Sequence, residues 1–290
     1  MLALLDQLPG DVVYSPYGLQ RALSVVREGA TGETRRALDA FTLPPEVPGV
    51  LSAQAAWLAP GYAAGPKLTL DVGPLDLDTI NAWSDEKTHG MVPRILEELG
   101  EDEIAAITDA EYLKAKWRQP FQSTERKPFE GAGDVDMMSV EGRFEHAEDA
   151  IRLEYAEHDL RFVAMLGEWH EVAWQRGPGT VELPRFTTES SLDLDKVLGL
   201  HMPVGHDLDE LIVGPGKKGF SRIIQRARVD VDEEGTTAAA TTAVTMRAVS
   251  MPMNPFHLSF DRPFTWAIEH APTATVLFAG RVVKPTSRRD

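Results

Sequence analysis

Asp232-Glu233-Glu234-Gly235-Thr236-Thr237-Ala238-Ala239-Ala240-Thr241-Thr242-Ala243-Val244 is the stretch on which the reading of this chain turns. Acids and a glycine lead into a run of threonine and alanine, with no large side chain before Val244 and no charge before Arg247. Three readings are open. Small polar residues bury little surface and suit a linker. Alanines diluted by threonines could form a poor helix. The third reading is a segment built to slide between two strands of an existing sheet. There, a bulky side chain would clash and an inward charge would be unpaired. Thr236, Ala238, Ala240 and Thr242 would share one side of such a strand, and none is large or charged. Composition alone leaves linker and inserting strand evenly matched.

Working outward, the flanks supply both helix and strand signals. Ser15-Pro16 offers a cap and a first-turn proline. Leu19, Ala22, Leu23 and Val26 then recur at helical spacing until Gly29. A second helix is expected from Thr31 through Leu38, with Thr31 and Thr34 as candidate caps, and a third from Asp78 to Trp83. Val181 to Phe186 alternates apolar with polar residues, as a half-buried strand does. Thr275 to Val283 is nearly continuous in apolar residues, which fits a strand buried on both faces. Helices early and long strands late indicate an α+β protein around one large sheet.

The 290 residues are 43% hydrophobic, enough for a substantial core, and no linker or internal repeat divides them. With no cysteine there is no disulfide, thiolate–metal site or thiol nucleophile. No apolar run is long enough to span a membrane, and the short N-terminal Met1–Gly10 lacks the basic start of an export signal, so a cytoplasmic location is the default. A net charge of −16 argues against nucleic-acid and acidic-membrane partners. No enzyme signature is present either. Gly219-Phe220-Ser221-Arg222 lacks the second glycine of a nucleophile elbow, no H-E-x-x-H occurs, and Gly214 to Gly219 fails the phosphate-loop pattern.

Several motifs, taken in order, resemble the serpin family of serine protease inhibitors. Asp232 to Val244 is similar to the hinge of the serpin reactive-centre loop. Phe260-Asp261-Arg262-Pro263-Phe264 and Leu277 to Pro285 resemble the strands that follow it. Upstream, Val12 to Tyr17, Gly29 to Thr34, Ile80 to Trp83, Lys87 to Gly90 and Lys114 to Phe121 fall in the family's order. The resemblance is to a shortened member of bacterial type, with the shortfall largely between Thr42 and Thr79. It implies a single serpin domain over 1–290 with a reduced set of helices, one large central sheet, smaller sheets and an exposed reactive-centre loop at about 233–255.

It also implies site residues. The hinge comprises Glu233, Gly235, Thr236, Thr237, Ala238, Ala239 and Ala240, exposed before cleavage. The scissile bond is Val249–Ser250, fourteen residues past Gly235, with Arg247–Ala248 as the alternative. Trp117, Ser15, Pro16, Asp109 and Gln225 mark where the sheet opens. Gly18, Asp109 and Gln225 stand where serine, asparagine and histidine are usual, and an Asp109–Gln225 hydrogen bond could replace the usual pair. The implied function is suicide-substrate trapping of an elastase-like or subtilisin-like serine protease by a monomer. No cofactor, metal or glycosaminoglycan is expected. A non-inhibitory binding or chaperone-like serpin is the alternative, although its members often carry charged, bulky or proline residues in the hinge.

Overall fold

The computed structural model describes residues 2–200, 203–236 and 255–286. They belong to two compact units: Met1–Val13 with Leu113–Glu189 and Val229–Asp290, and Tyr14–Tyr112 with Ser190–Arg228.

In the first unit the strands lie in the order Thr275–Val282, Phe264–His270, Leu160–Leu166, Ala150–Glu154, Gly133–His146, Gln175–Pro184, Phe256–Ser259. Ser123–Phe129 also pairs with Gly133–His146. The ladders are antiparallel except for Gln175–Pro184 beside Phe256–Ser259, which is parallel. Aromatic rings fill the core: Phe162 stacks on Trp266 at 5.7 Å, and Phe260 and Phe186 meet Phe264 edge-on at 5.3 and 5.8 Å. Leu277 through Gly280 are all buried, as a continuously apolar strand requires. The alternation expected over Val181–Phe186 does not translate into alternating burial. Glu182 is only 8% exposed because Lys127 Nζ reaches its carboxylate at 2.5 Å, and the strand breaks at Arg185.

In the second unit residues 222–227 of strand Arg222–Val231 run parallel to residues 106–111 of strand Ala105–Leu113, with Gln225 opposite Asp109. Both faces of this pair are covered. Ile107 and Ile223 pack with Leu19, Ala22, Leu23 and Val26 of helix Pro16–Gly29. Ala106, Ala110 and Ile224 pack on the other face with Trp57, Ile80, Val92 and Ile95. Since side chains alternate along a strand, Asp109, Glu111 and Gln225 must share the helix-facing side with Ile107 and Ile223.

The helices follow local chemistry with one exception. The Ser15 hydroxyl accepts the Gly18 N–H at 2.9 Å and Pro16 takes the first turn, as expected of the cap. Thr31 makes no side-chain cap on helix Gly32–Ala37; the Asp207 carboxylate accepts the Thr34 N–H at 3.0 Å instead. The third helix spans Leu77–Lys87, longer at both ends than Asp78–Trp83, because Asp76 caps it and Ser84 and Thr88 bury their hydroxyls in hydrogen bonds to Val92 and Ser84 carbonyls. Ser15→Ala should cost about 1 kcal/mol in urea unfolding, the usual worth of such a cap. A change within a few tenths would mean that the hydroxyl does not hold the helix start.

Candidate functional site

The first constellation lies where the Asp232–Glu234 turn meets Trp117. The Asp232 carboxylate accepts the Glu234 and Gly235 N–H groups at 2.9 and 3.0 Å, closing the turn. Its Asp232 carbonyl accepts the indole N–H of Trp117 at 2.8 Å, and the Glu234 carbonyl accepts the Trp117 backbone N–H at 2.9 Å. Thr236 then pairs antiparallel with Val231 on one side and Ala115 on the other, while Gly235 pairs with Lys116. Glycine is required at 235 because a Cβ there would overlap the Ala115 carbonyl and lie 2.8 Å from Lys116 Cα.

Thr236 is fully buried, and its hydroxyl shares a 2.6 Å hydrogen bond with that of Tyr155. The Tyr155 ring stacks on Trp117 at 4.5 Å, 9° from parallel, with Phe162 edge-on to Trp117 at 5.7 Å. Burial pushes the Tyr155 phenol up against the opposing effect of the Thr236 bond, so it stays protonated. This corrects the expectation that the whole hinge is exposed before cleavage. A buried hydroxyl needs a partner, and Tyr155 supplies one.

Glu233 anchors the turn. Its carboxylate accepts hydrogen bonds from Arg185 and Thr124, and the Phe121 N–H bonds its carbonyl at 2.9 Å. Burial opposes its ionisation, yet the Arg185 and Thr124 bonds outweigh burial and hold the carboxyl below its ordinary 4.5. Asp232 goes the other way: burial raises it more than its two backbone donors lower it.

A second constellation lies in the other unit. Gln225 donates from Nε2 to Asp109 Oδ2 at 2.6 Å and to the Ser15 carbonyl at 2.9 Å, and its Oε1 accepts the Ser15 N–H at 2.7 Å. The Asp109–Gln225 bond expected from the resemblance is therefore present. Gln54 donates to Asp109 Oδ1 at 2.9 Å. Glu111, which the sequence reading did not single out, lies beside Asp109 and is 1% exposed. Pro16 is buried at the start of the adjoining helix. Thr237, Ala238, Ala239, Ala240, Arg247, Ala248, Val249 and Ser250 lie outside the described residues. Among the described residues no group of His, Cys, Asp or Glu side chains is arranged to hold a metal.

Gly235 and Thr236 thus form a rung between two strands, with Trp117 bonded to the turn that precedes them. The family described as Serpin (serine protease inhibitor) matches residues 69–176 and 167–285, and the chain belongs to that family. An uncharacterized serpin-like protein of Thermococcus kodakarensis is 27% identical, covering 95% of this chain and 81% of its own length. The leukocyte elastase inhibitor of Bos taurus is 30% identical over 71% of this chain and 66% of its own. In three dimensions the native state of tengpin, a thermophilic serpin, superposes with a TM-score of 0.83 at 20% identity, over 98% of this chain and 92% of that one.

Two outcomes follow from the geometry. Tyr155→Phe should cost about 1–3 kcal/mol, because it strands the buried Thr236 hydroxyl, whereas Tyr155→Phe combined with Thr236→Val should recover most of that loss. A double-mutant cycle on chemical unfolding checks this, and additive losses would exclude a mutual bond. For Glu233 the folded value is depressed, so its contribution is present above pH 4.5 and lost as acid titrates it. Glu233→Gln should therefore destabilise at pH 7 and converge on the wild type at low pH.

Proposed function

We propose that the chain inhibits serine proteases as a suicide substrate. The observation that carries this reading is the seating of Gly235 and Thr236 between Val231 and Ala115–Lys116, a first rung for a strand that the small residues after it can extend. The loop presents Val249–Ser250 to the protease, whose serine attacks the Val249 carbonyl and forms an acyl-enzyme. Cleavage releases the hinge, and Thr237 onward enters beside Arg222–Val231. Serpin loop insertion is itself a known example of strand addition, and each ladder bond adds about 0.5–1.5 kcal/mol net. The attached protease is displaced, its oxyanion hole is distorted, and deacylation stalls because the developing charge loses its donors. The chain supplies no catalytic group.

The small uncharged hinge supports inhibition over a purely binding role. Val249 at the scissile position selects an enzyme that accepts a β-branched residue, elastase-like or subtilisin-like, and Arg247 marks the trypsin-like alternative. A single-domain monomer without glycosaminoglycan dependence is part of the same proposal.

A panel of serine proteases resolved on denaturing gels should yield a covalent SDS-stable complex with at least one elastase-like or subtilisin-like enzyme. Cleavage by every enzyme with no complex would identify a non-inhibitory serpin. Mass spectrometry of the released C-terminal peptide should show Ser250 at its start; Ala248 there would move the bond to Arg247. Ala238→Arg should lower complex per loop cleaved at least tenfold, since a guanidinium entering the sheet unpaired slows the step that competes with deacylation. Thr236→Arg is the poorer probe, because Thr236 is already buried and the substitution disturbs the intact fold.

A further inference from the structure

Asp109 and Glu111 are two apart on one strand, face the same side and are both fully enclosed. Gly18 shows how close they come. A Cβ built on it would overlap Asp109 Oδ2 and Glu111 Oε1 at once, so the two carboxyl oxygens meet over a glycine that leaves them room. Their hydrogen bonding is unequal. Asp109 receives amide donors on both oxygens, Gln54 on Oδ1 and Gln225 on Oδ2. Among the described residues no donor meets either oxygen of Glu111 in hydrogen-bonding geometry, and the Ser52 hydroxyl nearby only eases its ionisation.

A buried carboxylate with no donor is costly, whereas a carboxylic acid can donate its own proton to a neighbouring carboxylate. We propose that Asp109 and Glu111 share one proton, carried by Glu111 and donated to Asp109, and that Glu111 is thereby a positioning residue holding strand Ala105–Leu113 against strand Arg222–Val231. The groups facing the pair are Gln225 from the neighbouring strand, Gln54 and Ser52 from strand Val50–Leu58, and Arg21 from helix Pro16–Gly29. Arg21, which also bonds the Tyr17 hydroxyl at 3.4 Å, is the cation that pulls on both acids. Burial first, and the Asp109 charge second, push Glu111 well above its ordinary 4.5, beyond what Arg21 and Ser52 offset.

The sign of the pH effect follows. A carboxyl whose folded value is raised contributes stability that is whole below pH 4.5 and is lost as pH rises toward the folded value. Deprotonation leaves two carboxylates facing each other in a dry space. Separating the strands relieves this by admitting water. Acid therefore latches the pairing and alkali loosens it.

The test uses intact protein and no protease, so its result is independent of whether the chain inhibits anything. Urea unfolding of wild type and Glu111→Gln is compared from pH 5 to 9. The glutamine keeps a donor toward Asp109 that cannot dissociate. The ratio of the variant's folding equilibrium constant to the wild type's should rise with pH by up to about tenfold per unit, the limit for one proton. Infrared spectra should show a protonated-carboxyl C=O band in wild type at pH 7 that is missing from Glu111→Gln. If that variant does not fold, the wild-type band is titrated and compared with Asp109→Asn, which removes the like charge and should shift the band's loss to lower pH. Parallel stability profiles, or no protonated-carboxyl band in wild type at pH 7, would overturn the proposal.

Discussion

The rung that Thr236 forms between Val231 and Ala115 is the contact from which the functional reading follows. It requires glycine at 235 for close approach, a hydroxyl on Tyr155 to receive Thr236, and a turn pinned by Asp232 and Glu233. The first is steric and the other two are polar, and all are met inside a site otherwise packed with aromatic rings. Buried polar groups of this kind specify one arrangement because every alternative leaves something unpaired. Gly235 and Thr236 are therefore held in one register in the intact protein.

The strand pair in the other unit works under a related constraint. Ala105–Leu113 is buried and Arg222–Val231 half-buried along one face, yet Asp109, Glu111 and Gln225 interrupt the apolar packing of the face that lies against helix Pro16–Gly29. An apolar substitute there would pack well and bind the strands permanently. Polar groups make the pairing conditional on their hydrogen bonds and, for Glu111, on a proton. Gly18 is part of the same adaptation, since a larger residue would fill the space the two carboxyls occupy.

Much of this was legible in the sequence, for local reasons. Ser15, Pro16 and Gly29 delimit their helix by chemistry that acts within a few residues, and Thr275–Val282 announces its burial by composition. The Asp109–Gln225 bond could be expected only because the family resemblance placed the two positions together, residue type making the bond chemically possible. Long-range partners could not. Asp207 capping a helix 173 residues away, Arg185 and Thr124 on Glu233, and Tyr155 on Thr236 all depend on the tertiary fold. Glu111 did leave a signal, two acids spaced by two in an apolar strand, which places them on one face. The burial of Thr236 left none, because threonine and alanine suit a linker and a buried strand equally.

In the proposed mechanism the sheet accepts one more strand and is incomplete until it does. Thermal melting of the intact protein, and of the same protein nicked once between Ala243 and Ser250, measures this directly. New ladder bonds and burial should raise the midpoint of the nicked form sharply. An unchanged or lower midpoint would mean that the loop does not enter the sheet.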